Sequence, residues 1–495
     1  MQLTSTRWPV EASSTAARRV LLGIALAMTG GVLAVAAPAA QGAKKITLPI
    51  PVQTYIDYGK TACHADTPSR RMRVWWSERH GARQVMPGAD GRCATRPAGV
   101  TVLLRNLDAI LAREHALGLA RPHSDHGVKS NDGFFFGYGA SVQDGGSKAV
   151  DFYLSGAGAG AGRTQCLAEF GGGHLRSSAY ITMGGGGTFT TGWQQLGLLH
   201  VAAHELVHVA QCATTYPKRH RTAVQLGDTI VEGTAESLAM ATMGQRAITD
   251  GFGTFPGQTD PVLPIGGLDF VAGAARETEP LLPLRESTTE SIYRPYNNWA
   301  FWYALGGGAN ARPIVRLYNA ALRATTADKK SNYHTSIYRL FGEAAVQRAA
   351  LAEARFARFG GPLVNLTLPP APWKHLLENY NTGGEDLPVK FTLAPVVGTP
   401  AAAAVALATA RFAYAAVTWP AGSTTLQVTA TSPQGAARAA ESIAVVSPEL
   451  ASVAATAGTT WTLTRAAGGD AATVGIALAN GRKAAETLTL AATAS

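Results

Sequence analysis

The strongest periodic pattern of apolar positions covers residues 194–211 and predicts a helix, because apolar residues recur there every three or four positions. Similar patterns predict helices over Val102–Leu117, where Gly118 is a stop signal, and over Leu226–Met243. Residues 291–360 are also expected to be mainly helical.

Apolar and β-branched runs predict strands at Met72–Ser77, Ala149–Leu154 and Ser178–Met183. Beyond residue 391, short β-type runs such as TTLQVTATS, TWTLTRA, TVGIALANG and ETLTLAAT recur about every ten residues. This spacing suits a sandwich of antiparallel strands.

The order of these elements predicts an α+β protein. Residues 44–190 are expected to form a mixed α/β part, residues 191–384 the helices that follow it, and residues 385–495 a β-rich accessory domain. The boundary is placed near residue 385 because composition changes there, and residues 391–495 contain no Cys and no His.

Residues 1–40 have the pattern of a signal peptide. Arg18 and Arg19 precede an apolar segment that is interrupted by glycines, and small residues follow, so cleavage is expected between Ala39 and Ala43. An uncleaved anchor helix is the alternative, and the arginine pair leaves the export route open. The mature protein is predicted to be secreted or periplasmic, without stable membrane insertion.

Composition favours a folded protein without a nucleic-acid partner. Hydrophobic residues make up 46% of the chain and charged residues 15%, which allows a sizeable core and argues against disorder. The formal net charge of +10 is spread thinly, without a long Lys/Arg run. We therefore expect no nucleic-acid binding, and we expect a monomer.

Export makes the four cysteines candidates for two disulfides. No C-x-x-C spacing is present, so a zinc site made of cysteines is not expected. Of the three pairings that four cysteines allow, we favour the pairing of neighbours, Cys63 with Cys93 and Cys166 with Cys212.

One short motif carries recognisable chemistry. His204-Glu205-Leu206-Val207-His208 is an H-E-x-x-H sequence on the predicted helix 194–211. Four residues advance about 400° around a helix, so His204 and His208 share one face and can reach one Zn²⁺. Glu205 then lies near the open side of the metal, where it can accept a proton from water.

A third ligand is available on the next predicted helix. Glu232 lies 24 residues after His208, in the sequence VEGTAE, and an antiparallel helix pair could bring it to the histidines. Glu236 is one turn further on the same face, where it can accept a hydrogen bond from a ligating histidine. A solvated acidic face is the structural alternative for both carboxylates.

HELVHVAQ followed by VEGTAES resembles the gluzincin branch of zinc metallopeptidases, most closely those with an E-G-x-A-E second motif, including bacterial collagenase catalytic domains. The resemblance implies His204, His208 and Glu232 as zinc ligands, Glu205 as general base and Glu236 behind a ligand histidine. It also implies a zincin-like fold, in which a small mixed sheet packs on the active-site helix and a mostly helical subdomain follows.

Two departures from the family pattern affect the prediction. No G-x-M-E-N sequence is present, which argues against the aminopeptidases that use it. Val231 precedes the predicted ligand Glu232, so His208 must find a backbone carbonyl or another partner. His200 also lies on the ligand face, but one zinc cannot use three histidines that span eight residues, so we expect it beside the site.

The sequence thus predicts a secreted zinc peptidase acting on protein or peptide substrates. The strand at residues 178–185 is expected to be the sheet edge that pairs with the substrate backbone. An oxyanion donor is also needed, and the candidates, which core packing would equally explain, are Tyr293, Tyr296 and Tyr303. The alternatives are a hydrolase of a non-peptide bond and a non-catalytic surface or adhesion protein with a relic zinc site.

Overall fold

The structure is a computed structural model, and it leaves parts of the chain undescribed. Some side chains within the described segments, such as that of Cys166, are also outside the description. The described residues are 62–77, 85–87, 95–123, 129–130, 141–142, 148–155, 162–169, 174–175, 177–184, 192–214, 216–217, 228–243, 299–308, 311–316, 333–359, 362–364, 366–367, 389–407, 411–446, 452–453 and 458–495.

The described elements make a mixed α/β architecture with several small sheets. The helices are α1 (Ala98–Ala116), α2 (Gly192–Ala213), α3 (Asp228–Met243), α4 (Trp299–Gly306), α5 (Tyr333–Phe341), α6 (Glu343–Phe359) and α7 (Ala436–Glu441). The strands of the first part are β1 (Ala62–Asp66), β2 (Met72–Ser77), β3 (Val85–Pro87), β4 (Thr95–Pro97), β5 (Lys129–Ser130), β6 (Ser141–Val142), β7 (Val150–Ser155), β8 (Gly162–Glu169), β9 (His174–Leu175), β10 (Ser177–Gly184) and β11 (Tyr216–Pro217). The later strands are β12 (Pro362–Leu363), β13 (Leu366–Thr367), β14 (Val389–Leu393), β15 (Ala401–Leu407), β16 (Arg411–Trp419), β17 (Thr425–Thr431), β18 (Ile443–Val446), β19 (Ser452–Val453), β20 (Thr460–Thr464), β21 (Ala472–Asn480) and β22 (Glu486–Ala494).

The first large sheet has the strand order β1-β2-β7-β10-β8. Strand β7 is parallel to both β2 and β10, whereas β8 is antiparallel to β10. Phe152 of β7 and Ile181 of β10 stand side by side in the sheet. They share a core with Leu107 of α1 and Leu206 of α2. Helix α2, which carries the H-E-x-x-H sequence, therefore packs directly on this sheet.

The expectation that the strand at residues 178–185 lies at the sheet edge is wrong. Strand β10 lies between β7 and β8, so both of its edges are already hydrogen-bonded. The edge strand on this side of the described sheet is β8, which the sequence patterns did not predict. The error follows from that omission, because without β8 the strand β10 has a free edge.

A second core joins the helices to the C-terminal strands. Val207 and Leu238, from α2 and α3, share it with Trp302 of α4 and Val346 of α6. Tyr414, Ala477 and Ala479, on strands β16 and β21, belong to the same cluster. The C-terminal part and the helices that carry the site are therefore connected through one continuous packed interior.

Two sheets face each other at the C-terminal end of the chain. Their strand orders are β14-β16-β21-β18-β19 and β15-β22-β17-β20. Val417 and Ile476 of the first sheet share a core with Val428 and Leu490 of the second. Most pairs are antiparallel, as expected, but β14 is parallel to its neighbour β16.

Several expectations fall partly or wholly outside the described residues. The predicted signal peptide, residues 1–40, lies outside them. Cys63 and Cys212 are both disulfide-bonded, but the predicted pairing also involves Cys93 and the side chain of Cys166, which lie outside the description. Among the described residues, no helix is long and apolar enough to cross a membrane.

Candidate metal centre

Two neighbouring helices bring the sequence-predicted ligands together. His204 and His208 lie one turn apart on α2, and α3 packs beside α2 with Glu232 in its first turns. Buried small residues of both helices share the same cores, Ala210 of α2 with Ala235 of α3 and Ala203 of α2 with Ala239 of α3. His204 is itself only 7% exposed, so its ring must find polar partners inside the protein.

Three side-chain atoms converge at the centre of the site. His204 Nε2 and His208 Nε2 are 3.0 Å apart. Glu232 Oε2 is 3.1 Å from the first nitrogen and 3.0 Å from the second. The three atoms therefore form a nearly equilateral triangle, to which each side chain contributes one atom.

The outer nitrogens of both rings are fixed by hydrogen bonds. The Nδ1–H of His204 donates to Glu236 Oε2 at 2.9 Å, and that of His208 donates to Gln211 Oε1 at 2.7 Å. The amide nitrogen of Gln211 donates to Thr234 Oγ1 at 3.3 Å, which orients its oxygen toward the ring. Each neutral ring thus carries its hydrogen on Nδ1 and presents a lone pair at Nε2.

This arrangement fits a metal ion. In the neutral rings, the two Nε2 atoms and the Glu232 oxygen are all acceptors, and no hydrogen lies between them. A cation satisfies all three. A tetrahedral zinc ion with bonds of about 2.0–2.1 Å separates its ligand atoms by about 3.3 Å, close to the observed triangle. The group of His204, His208 and Glu232 could therefore hold a metal ion.

The electrostatics of the cluster also favour positive charge at its centre. Burial by itself lowers the pKa of His204, but hydrogen bonds and charges from Glu232 and Glu236 outweigh it, and the pKa is raised well above its usual value. Burial raises the pKa of Glu232, but the charge of His208 and the hydrogen bonds of both rings hold it far below its usual range. The two carboxylates therefore remain ionised and attract a cation.

Glu205 lies beside the metal group without belonging to it. The residue is 4% exposed, and its Oε2 accepts a hydrogen bond of 2.6 Å from the hydroxyl of Thr164 on β8. Burial raises the pKa of Glu205, although the charges of His208 and His204 and the Thr164 hydrogen bond oppose the shift. A carboxylate with a raised pKa is suited to accept and return a proton near neutral pH.

His200 lies one turn before His204 and contacts the metal group only indirectly. Its Nε2–H donates to Glu236 Oε1 at 2.6 Å, while the other oxygen of Glu236 accepts from His204. Glu236 is 2% exposed and is held by a histidine at each oxygen. His200 therefore orients the carboxylate that in turn orients His204.

The structure gives little support to the predicted oxyanion donors. Tyr303 is fully buried on α4, where its ring makes an edge-to-face contact with Trp299 at 6.1 Å between centroids. Tyr293 and Tyr296 lie outside the described residues.

Sequence reasoning missed Gln211 and Thr164. Gln211 stands three residues after His208 on the same helix, so its reach to that ring could have been read from the spacing. Thr164 lies on β8, a strand that the hydrophobic pattern did not indicate, and no sequence signal marked it as a neighbour of Glu205.

Comparison of the chain with known proteins adds no relative to this picture. No protein-family model, no curated protein and no solved structure matches it.

Proposed function

We propose that the protein is an exported zinc-dependent peptidase of the gluzincin type, with a zincin-like catalytic part. The observation that carries the proposal is the convergence of three acceptor atoms, from His204, His208 and Glu232, next to the buried carboxylate of Glu205. Two imidazoles and one carboxylate are the ligand set of catalytic zinc sites that leave one position for water.

Zinc is the cation that best fits this donor set. Two nitrogen donors and one oxygen donor at tetrahedral spacing suit zinc, whereas Mg²⁺ and Ca²⁺ prefer six or more oxygen ligands. Hydrogen bonds from both ligand histidines to Glu236 and Gln211 fix the rings in the tautomer that a metal requires. When bound, zinc would polarise the scissile carbonyl and lower the pKa of water from about 15.7 toward 7.

The proton transfers of the reaction are assigned to a side chain of the protein. Glu205 accepts a proton from the attacking water and later gives it to the leaving amine. Its burial keeps bulk water from competing for that proton. The edge strand β8 runs beside Glu205 and offers backbone groups to an extended peptide, so we assign it the substrate-pairing role that the sequence suggested for β10.

The proposal is tested by measuring zinc and hydrolysis on the same protein. The exported protein should contain about one zinc per molecule and should cleave unfolded protein substrates. Removal of zinc with a chelator should abolish cleavage, and added zinc should restore it. Glu205→Gln should keep the zinc and lose the hydrolysis.

A matched control is Asp470→Asn, which removes the charge of an exposed carboxylate on the sandwich, far along the chain from the site. It should keep full activity. A protein that binds zinc but cleaves nothing would refute the peptidase and favour a non-catalytic binding role. Equal activity of Glu205→Gln and wild type would refute the assigned base.

A further inference from the structure

Strand β8 presents two residues to the carboxylate of Glu205. Gly162 and Thr164 stand two positions apart on this edge strand, so they face the same side of the sheet. Thr164 contributes a hydroxyl group, and Gly162 contributes the space left by its missing side chain.

The Thr164 hydroxyl makes two contacts with Glu205. Its Oγ1 lies 2.6 Å from Oε2 of the carboxylate and 2.9 Å from the backbone carbonyl oxygen of the same residue. A hydroxyl has one hydrogen to donate and two lone pairs. With an ionised carboxylate, Thr164 donates to Oε2, and this charge-assisted bond fixes one of the two oxygens.

The same geometry accommodates a carboxyl group that carries the proton. Glu205 can then donate from Oε2 to Thr164 Oγ1, while the threonine hydrogen turns to the backbone carbonyl 2.9 Å away. No buried polar atom of the pair loses its partner in either arrangement. Valine has the same shape as threonine but offers neither contact.

Gly162 leaves room that only a hydrogen can occupy. A Cβ at this position would meet Glu205 Oε1 first, and it would stand 2.7 Å from Glu205 Cγ and 2.8 Å from Val201 Cγ1, all far inside van der Waals contact. The end of the Glu205 side chain is the group most free to move, so alanine at position 162 would displace the carboxylate. The close packing of Gly162 on Glu205 and the hydrogen bond from Thr164 therefore require the same orientation of the carboxylate.

We propose that Thr164 and Gly162 are positioning residues that hold the Glu205 carboxylate in one orientation, with Oε2 bonded to the Thr164 hydroxyl and Oε1 packed against Gly162. The inference rests on the proposed function, since it assigns Glu205 the role of base. The contacts of Thr164 and Gly162 are with Glu205 and Val201. Substitutions at these two positions should therefore lower activity without lowering zinc binding.

The first test compares Thr164→Val, Thr164→Ser and Gly162→Ala in the zinc-loaded full-length protein. Thr164→Val should lower kcat on a peptide substrate by roughly ten- to a hundredfold, because misplacing a catalytic group lowers the reaction rate by a factor of that order. KM and zinc content should change little. Thr164→Ser keeps the hydroxyl and should restore most of kcat, whereas Gly162→Ala should resemble the valine variant.

The matched control is Thr431→Val, the same substitution at an exposed position on β17. It should leave kcat unchanged. A Thr164→Val variant with wild-type kcat would overturn the proposal. So would a Thr164→Ser variant as impaired as the valine variant, because the hydroxyl would then not be the active feature.

A second test does not depend on hydrolysis. Crystal structures of the zinc-loaded wild type and Thr164→Val should show the Glu205 carboxylate rotated away from β8 in the variant. An unchanged carboxylate would overturn the positioning role. If the wild type binds zinc and cleaves nothing, the peptidase proposal fails, while the crystallographic comparison still decides whether Thr164 positions Glu205.

Discussion

Nδ1 of the His208 ring lies 2.7 Å from the side-chain oxygen Oε1 of Gln211. The residue before the ligand glutamate is Val231, which offers no polar side chain, and His208 instead finds its partner on its own helix. Gln211 is 7% exposed and is anchored in turn by Thr234 on α3. One amide therefore links the ring of His208 to the neighbouring helix.

We predict that Gln211→Leu lowers metal affinity by about ten- to a hundredfold, the usual cost of losing a group that orients a ligand histidine. Gln211→Glu should bind metal at least as tightly as wild type, because its carboxylate still accepts the Nδ1–H. Competition against a chromophoric chelator measures both. Equal affinity of the leucine variant and wild type would show that the ring needs no such partner.

The cluster's pKa values predict how metal binding depends on pH. The pKa of His204 is raised well above its ordinary value, so this ring still holds a proton at pH values where a free histidine has lost it. A metal must displace that proton. Metal affinity should therefore increase with pH, by about tenfold per unit while one proton is displaced, until pH passes the raised pKa.

Titration calorimetry in two buffers of different ionisation enthalpy measures this proton release directly. The released protons should decrease in number as pH rises through the raised pKa of His204. Binding that is independent of pH from about 6 to 9, with no protons released, would contradict the direction of the shift.

Glu114 on α1 provides a prediction about stability. Its side chain is 1% exposed, and neither carboxyl oxygen has a hydrogen-bond partner in the described part of the chain. Burial raises the pKa of this group well above its usual value, and the charge of His204 opposes the shift. The folded protein therefore keeps a proton on Glu114 that the unfolded chain releases above its ordinary pKa near 4.5.

The direction in which stability changes with pH follows from this difference in bound protons. Because the folded state binds more protons, Glu114 lowers stability as pH rises from its unfolded pKa toward its folded pKa. Glu114→Met should thus raise the melting temperature relative to wild type, and by more at about pH 8 than at about pH 5. Arg105→Met, at an exposed position of the same helix, is the control and should show no such pH dependence. A destabilised Glu114→Met at both pH values would contradict the prediction.

The hydrophobic pattern predicted the two site helices well because both are long and periodic. The predicted helix 226–243 differs from α3 by two residues at its start. Strand β8 was missed because GRTQCLAE mixes polar and apolar residues on both faces and follows a Gly/Ala-rich stretch. Strand β15 has the sequence AAAAVAL, whose alanines favour a helix locally, and pairing with β22 overrides that preference.

The site was predictable to the extent that helix spacing defines it. His204 and His208 share a face because of the 3.6-residue period, and Gln211 follows the same rule. The contact between Glu205 and Thr164 joins residues 41 positions apart across a sheet and a helix. No local pattern encodes such a contact, since it depends on how β8 pairs with β10 and lies over α2.

Gln347 connects α6 to the C-terminal sheets. Its amide nitrogen donates to the carbonyl oxygens of Ala479 at 2.9 Å and Glu441 at 3.0 Å, and its side-chain oxygen accepts the N–H of Gly481 at 2.6 Å. A Cβ at Gly481 would stand 2.9 Å from the carbonyl oxygen of Val346. The sequence suggested an accessory domain beyond residue 385. This interface ties that part to α6, which shares a core with α2 and α3, the helices that carry the metal group.

We therefore predict that the sheets and the metal-binding part unfold together. Gly481→Ala forces backbone atoms apart at the interface and should destabilise the whole protein by about 1–3 kcal/mol, in one calorimetric transition rather than two.

A chain that ends near residue 385 should fail to bind zinc, because it would expose the apolar face of α6 around Val346 and Ala350. Thr431→Val, on the outer face of the sandwich, should leave the transition in place. Two separate transitions, with zinc bound by the shortened chain, would instead show that the sheets are an independent domain whose contact with α6 contributes little to the stability of the site.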